Sequence, residues 1–185
     1  MLKGMRKRRL TPRQLATRLK TIKALILDVD GVLTDDHLYI GPDGLELKQF
    51  HIGDGLTMVL AMRAGLEIVI MSNRPSAATT TRMKDLQIRH VIQERGDKAG
   101  LVKEYFAANG LEFDLRDTAF IGNDIMDIPL AREVGISITV ADGYEDLKAL
   151  ANYITEKKGG HGAVREVLEL YFRGIGKKPE DYLRR

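Results

Sequence analysis

The chain contains no cysteine. Disulfides and thiolate metal sites are therefore excluded. Long apolar runs are missing too, and nothing approaches the ~20 residues of a membrane-spanning helix. Acid is missing from one end: Met1–Lys20 carries Lys3, Arg6, Lys7, Arg8, Arg9, Arg13, Arg18 and Lys20 and no Asp or Glu. That segment is +8 while the whole chain is only +3, so the remainder is −5. The positive balance belongs to this leader and not to the domain that follows. The leader lacks the apolar stretch of a secretory signal and has no aromatic on which a base could stack. It reads as a solvated tail or a short surface helix, with a nucleic-acid patch as the alternative. A cytoplasmic protein with no membrane or nucleic-acid partner is expected. Internal repeats and low-complexity runs are also absent.

What is present is a chain of 185 residues, 44% hydrophobic and 30% charged, enough for one domain with a real core. It is organised around Ala24-Leu25-Ile26-Leu27-Asp28-Val29-Asp30-Gly31. A continuous apolar run followed by glycine reads as a strand buried on both faces of a parallel sheet. Asp28 and Asp30 then stand at its carboxyl end, where open α/β sheets bind ligands. Residues two apart on a strand face the same way. Two crowded carboxylates need a cation or a shared proton, and among oxygen ligands Mg²⁺ is the natural cation.

Strands and helices alternate along the rest. Thr11 and Pro12 start a short helix reaching Lys20, and Lys23–Asp28 is the first strand. His37–Ile40 and Leu45–Phe50 alternate around Gly41-Pro42-Asp43-Gly44, a hairpin with a four-residue turn. Two strands alone are marginal, so the hairpin needs a neighbour in its own subunit or another. Asp54-Gly55 opens a helix over Leu56–Ala64. Further strands are predicted at Glu67–Met71, His90–Gln93, Thr118–Ile121 and Ile136–Val140, with Tyr153–Thr155 extended. Helices are predicted from Pro75 to about Leu86 and over Lys98–Asn109, Ile125–Val134, Tyr144–Leu150 and Ala163–Phe172. This alternation implies an α/β fold with a parallel sheet and right-handed crossovers. Three strands end in polar clusters: Asp28/Asp30, Ser72-Asn73-Arg74 and Gly122-Asn123-Asp124. A shared sheet edge would bring them together into one site.

Asp28-Val29-Asp30-Gly31-Val32-Leu33-Thr34-Asp35 resembles the first motif of the haloacid dehalogenase (HAD) superfamily of phosphohydrolases. That resemblance implies a Rossmann-like three-layer sandwich around a mostly parallel sheet. It implies Asp28 as nucleophile and Asp30 as general acid/base, with Asp30 also giving a main-chain carbonyl to Mg²⁺. Ser72 matches the hydroxyl that holds a phosphate oxygen. Lys98, in Gly96-Asp97-Lys98, matches the lysine that neutralises phosphate and nucleophile. Gly122-Asn123-Asp124-Ile125-Met126-Asp127 matches the acidic motif, with Asp124 completing the metal shell. Asn123 and Asp127 stand behind it, Asp127 orienting or ligating through water or stabilising a helix N-terminus.

Only 37 residues, Asp35 to Met71, separate the first motif from Ser72. One hairpin and one helix consume them, so no cap domain is expected. The hairpin, Phe50-His51-Ile52-Gly53-Asp54-Gly55 and Gly159-Gly160-His161-Gly162-Ala163-Val164-Arg165-Glu166 resemble a capless branch, the tetrameric 3-deoxy-D-manno-octulosonate 8-phosphate (KDO 8-phosphate) phosphatases. The resemblance covers about Lys23 to Phe172. It implies a homotetramer and substrate contacts from His51, Ile52, Gly53, Asp54, Gly55, Arg74, Arg82 and Lys98. It divides the chain into a basic leader (1–20), a phosphatase domain (21–173, hairpin 37–50) and a tail (174–185). Gly53 and His161 stand where the branch often has Arg, which removes two cationic contacts to a sugar acid. Arg74 favours the octulosonate over a nonulosonate 9-phosphate, which with another small sugar phosphate is the alternative substrate. An oligomerisation module without catalysis is the reading from another class.

Overall fold

The first strand, β1 (Ala24–Leu27), lies at the centre of a computed structural model that describes residues 7–183. Lys3 and Arg6 of the basic leader, and residues 184–185 of the tail, lie outside them. In chain order the elements are α1 (Pro12–Leu19), β1, β2 (Tyr39–Ile40), β3 (Glu46–Leu47), α2 (Ile52–Arg63), β4 (Glu67–Ser72), α3 (Ala77–Asp85) and β5 (His90–Gln93). There follow α4 (Lys98–Ala108), β6 (Thr118–Gly122), α5 (Ile128–Glu133), β7 (Ile136–Thr139), α6 (Glu145–Leu150), β8 (Tyr153–Ile154) and α7 (Ala163–Gly174). Six strands form one parallel sheet in the order β5-β4-β1-β6-β7-β8, and β2 pairs with β3 in a separate antiparallel hairpin.

The apolar run of β1 is continuous because both of its faces are covered. Leu25 and Leu27 enter one core with Leu15 and Leu19 of α1, Met58 of α2 and Leu168 of α7. Ala24 and Ile26 enter the other, with Val102 and Phe106 of α4, Leu130 of α5 and Leu147 of α6. Each large side chain fully withdrawn from water contributes roughly 1.5–3 kcal/mol. Leu27 pairs with Ile70 on one side and Ile121 on the other, so β4, β1 and β6 end together. The chain runs outward from β1 to β4 and β5, then returns to β6 on the opposite side. This reversal of direction is where open α/β sheets bind ligands, and all three polar strand ends meet there.

The basic leader contributes α1, whose Thr11 and Gln14 form a reciprocal capping box. Leu15 and Leu19 are wholly buried, so the helix is part of the fold and not a solvated tail. Its neighbouring cations reach helix ends. Lys7 Nζ donates to Ala131 O at 2.8 Å and Val134 O at 2.7 Å, around the end of α5. Arg9 donates to Lys148 O and Ala151 O at the end of α6, and Arg18 to Gly135 O. Helix C-termini carry unpaired carbonyls and partial negative charge, which explains cations there. Burial, with Arg18 nearby, pushes the Lys7 ammonium down to about 8.

Several boundaries differ from expectation: the hairpin arms expected over His37–Ile40 and Leu45–Phe50 pair only at Tyr39–Ile40 and Glu46–Leu47, around a 3₁₀ turn at Pro42–Gly44. Helix α2 starts at Ile52, well before Leu56, because the His51 imidazole caps it through Asp54 N. Helix α3 starts at Ala77, not Pro75, because Ser76 is its N-cap. The expected Ile125–Val134 helix is a 3₁₀ turn (Ile125–Asp127) followed by α5. No helix among the described residues is long and apolar enough to cross a membrane.

Candidate active site

Asp28 follows directly on β1 and is 7% exposed. Its Oδ1 accepts from Val29 N at 2.8 Å, and its Oδ2 lies 2.9 Å from Lys98 Nζ. Lys98 is the first residue of α4, placed by the Asp97 cap on Ala99 N and Gly100 N. Its ammonium also donates to Asp127 Oδ1 at 2.5 Å. The other oxygen of Asp127 accepts from Asn123 N at 2.7 Å and Asp124 N at 3.0 Å. Asp127, wholly buried, thus fixes the loop after β6 and the lysine together.

One ammonium shared by two buried carboxylates leaves one negative charge in surplus. Burial, reinforced by Asp127, pushes the Asp28 carboxyl up to about 7 against the pull of Lys98. Burial would lower Lys98, but Asp28 and Asp127 outweigh it and hold the ammonium above the usual lysine range. Beside this pair, burial raises Asp36, and the charges of Asp124, Asp30 and Asp142 raise it further. An excess of oxygen anions over cations fits a hard divalent cation. Among the described residues no three His, Cys, Asp or Glu side chains converge to hold a metal. The donor set expected from sequence satisfies that restriction, since it comprises two carboxylates, Asp28 and Asp124, and the main-chain carbonyl of Asp30.

Asp30 Oδ1 accepts from Lys48 Nζ at 2.5 Å. Gly31 has φ +77°, and a Cβ there would lie 1.8 Å from Asn123 Nδ2, so the turn after Asp30 admits only glycine. A Cβ at Gly159 would meet Gly31 O at 1.8 Å. The glycine-rich segment before α7 is therefore a backing for the Asp28–Gly31 loop. At the end of β4, Ser72 Oγ accepts from Arg74 N at 3.1 Å and is 2% exposed. Arg74 reaches across to the hairpin, where its Nη2 meets Glu46 Oε2 at 2.5 Å.

The expected substrate segment His51–Gly55 lies at the start of α2, against α7 and α3. Ile52 is 80% exposed. A Cβ at Gly53 would crowd His51 Cε1 at 2.9 Å, and one at Gly55 would meet Arg82 Nη2 at 2.4 Å. Arg82 therefore covers Gly55 while pairing with Asp85 at 2.7 Å. Asp54 has a task that the sequence reading missed. It is 1% exposed, and its Oδ1 accepts from Arg165 N at 2.7 Å. Helix α7 begins after Gly162, which has no side chain to cap it, and Asp54 supplies the acceptor from another helix. Burial raises the Asp54 carboxyl, partly offset by Arg165 N and His51.

Glu46, Lys48 and Ser76 also escaped the sequence reading. Glu46 Oε1 accepts from Ser76 Oγ at 2.8 Å and stands 3.8 Å from Lys48 Nζ. The available signal was the alternation Leu45-Glu46-Leu47-Lys48, which puts the two charges on one face of the hairpin. The cavity beside Gly31, lined also by Asp36, Asn123 and Asp142, is about 30 Å³. That is far below the roughly 300–1,000 Å³ of a ligand pocket.

A family model for haloacid dehalogenase-like hydrolases matches residues 90–168. The 3-deoxy-D-manno-octulosonate 8-phosphate phosphatase KdsC of Salmonella typhi is 37% identical over 164 residues, covering 89% of this chain and 86% of the relative. The crystal structure of the corresponding phosphatase from Yersinia pestis superposes with a TM-score of 0.82 at 35% identity, covering 88% of this chain and 87% of that one. The Moraxella catarrhalis phosphatase, solved with magnesium, phosphate and KDO, gives 0.81 at 37%, covering 88% and 92%. Sheet order, the absence of a cap among the described residues and this likeness over most of the length lead to one conclusion: the chain belongs to the haloacid dehalogenase superfamily, in its capless family of 3-deoxy-D-manno-octulosonate 8-phosphate phosphatases.

Proposed function

We propose that this chain is a Mg²⁺-dependent phosphomonoesterase that hydrolyses KDO 8-phosphate to KDO and phosphate. The observation that carries the reading is the buried Lys98 between Asp28 and Asp127 at the carboxyl edge of the sheet. A lysine and two carboxylates out of water are costly to fold around, and an oligomerisation module has no use for them. The relatives named above supply the substrate.

In this reading Asp28 attacks phosphorus in line, and the bond from phosphorus to the sugar oxygen breaks. Asp30 gives its proton to the departing alkoxide. The resulting Asp30 carboxylate then takes a proton from water, which attacks the aspartyl-phosphate and frees phosphate and Asp28. Ser72 and Lys98 hold the phosphoryl oxygens. Asp28, Asp124 and the Asp30 carbonyl would hold Mg²⁺, which supplies charge neutralisation between nucleophile and phosphate. Arg74, Arg82 and the His51–Gly55 segment would meet the sugar acid, with Arg74 released from Glu46 to take a carboxylate.

Phosphate release from KDO 8-phosphate, a nonulosonate 9-phosphate and a panel of sugar phosphates tests the reading. The fastest release is expected from KDO 8-phosphate, lost in EDTA and restored by Mg²⁺. Faster release from the nonulosonate ester moves the substrate. No release from any ester replaces the enzyme with the oligomerisation module.

A site without a cap domain needs water kept from its aspartyl-phosphate, and the hairpin offers a cover. Leu38, Ile40, Leu45 and Leu47 are each more than half exposed, as are Ile52 and Leu56 of α2. Patches of this kind mark association surfaces, and exposed strand edges invite pairing. In the proposed homotetramer, hairpins pack together and each neighbour roofs another subunit's site. Replacing Ile40 and Leu47 with Asp is expected to give smaller species and lower activity together. Wild type sedimenting as a fully active monomer at micromolar concentration would reject this assembly.

A further inference from the structure

Lys48 is the least expected charge in the molecule. It follows β3 on a hairpin whose neighbouring Leu47 is 55% exposed, yet its side chain is wholly buried. An ammonium withdrawn from water needs anionic partners at close range. Its partners are Asp30 Oδ1 at 2.5 Å and Glu46 Oε1 at 3.8 Å. Glu46 in turn holds Arg74 at 2.5 Å and Ser76 Oγ at 2.8 Å. A chain of charged contacts thus runs from the loop after β1, through the hairpin, to the loop after β4.

Resting on the phosphatase reading above, we infer that Lys48 is a positioning residue for proton transfer by Asp30. The ammonium anchors one carboxyl oxygen of Asp30 and fixes the side-chain rotamer. The other oxygen then faces the leaving group: it carries the proton in the acid step, when Glu46 alone supplies the ammonium's counter-charge, and the carboxylate left behind takes a proton from water. General acid catalysis demands a donor held within hydrogen-bond reach of the departing oxygen. The backbone of this loop is already fixed by Thr34, whose Oγ1 accepts from Gly31 N. That contact sets the main chain, while Lys48 sets the carboxyl. Because Lys48 rides on the hairpin, whatever fixes the hairpin also fixes the acid.

The test separates proton donation from folding. Lys48→Met keeps the alkyl stem and removes the charge. Single-turnover release of the leaving group is followed with KDO 8-phosphate, whose alkoxide needs a proton, and with 2,4-dinitrophenyl phosphate, whose phenolate does not. Release from KDO 8-phosphate is expected to fall about 10²-fold, with KM little changed. Release of dinitrophenolate should fall no more than about threefold, because a general acid adds little to so good a leaving group. An unfolded fraction would lower both rates equally, so the ratio of the two is protected from it. Lys48→Arg should restore the ratio. Asp30→Asn is the control. If Asp30→Asn shows the leaving-group dependence and Lys48→Met slows both esters alike, or neither, the inference is overturned and the phosphatase reading stands. If Asp30→Asn itself shows no such dependence, the acid role of Asp30 falls and this inference with it. A wild type inert toward both esters overturns both readings.

Discussion

Asp28→Asn is expected to lower phosphate release by about 10⁴-fold or more, as removal of a nucleophile does. The fold should survive, since an amide occupies the space of the carboxyl and can still accept from Val29 N. The substitution also reports on stability. In the folded, metal-free protein the Asp28 carboxyl stands at about 7, raised by burial and Asp127 from its ordinary 3.8. The folded state therefore binds this proton more tightly than the unfolded state does. Its stabilising contribution is complete below pH 3.8 and is lost as pH rises through about 7. Asn does not titrate. Without metal, the urea midpoint of wild type should thus decline against that of the variant as pH rises from 3.8 to about 7, and run parallel to it above that. Equal pH slopes for the two proteins would show that Asp28 carries no such surplus charge.

Lys98→Met is expected to be the most damaging single change to stability. The side chain is 3% exposed and serves both Asp28 and Asp127. Removing one member of a buried ion pair typically costs 3–5 kcal/mol, or about a third of a domain's stability, because the remaining charge has no partner. Here two carboxylates are stranded. Asp28, freed from the pull of Lys98, would then hold its proton more tightly, so part of the loss should return as pH is lowered. Urea unfolding at about pH 5 and 8 reads this directly. A deficit that does not shrink at the lower pH would deny the electrostatic cause. Turnover should fall by about 10²–10³-fold, since a preorganised cation at the phosphoryl oxygens is lost.

Much of this architecture is written in local pattern. The strand at His90–Gln93 matches its expected limits because a short apolar run there is bounded by polar residues on both sides. The three polar strand ends were legible, and parallel pairing of β4, β1 and β6 accounts for their meeting. What was not legible depends on tertiary partners. The start of α2 was missed because a histidine caps it and Gly53 and Gly55 occupy its first turns, where they read as loop. Asp54 looks like a turn residue, and only the fold brings Arg165 N to it. The eight basic residues of the leader were plain, but the carbonyls that Lys7, Arg9 and Arg18 reach lie more than a hundred residues away. For Lys48 the alternation showed only which face of the hairpin it shares with Glu46, since nothing local to a hairpin predicts a contact with Asp30.

The central claim is that Asp28 forms a covalent bond to phosphorus. Trapping that bond tests it most directly. The enzyme, mixed with KDO 8-phosphate and Mg²⁺, is quenched in acid during turnover, treated with borohydride and digested for mass spectrometry. Borohydride reduces an aspartyl-phosphate to homoserine and leaves a free aspartate untouched. Homoserine is predicted at position 28 and at no other aspartate, and only when both substrate and Mg²⁺ are present. Steady turnover with Asp28 unmodified, or with homoserine at Asp30 or Asp124 instead, would contradict the account.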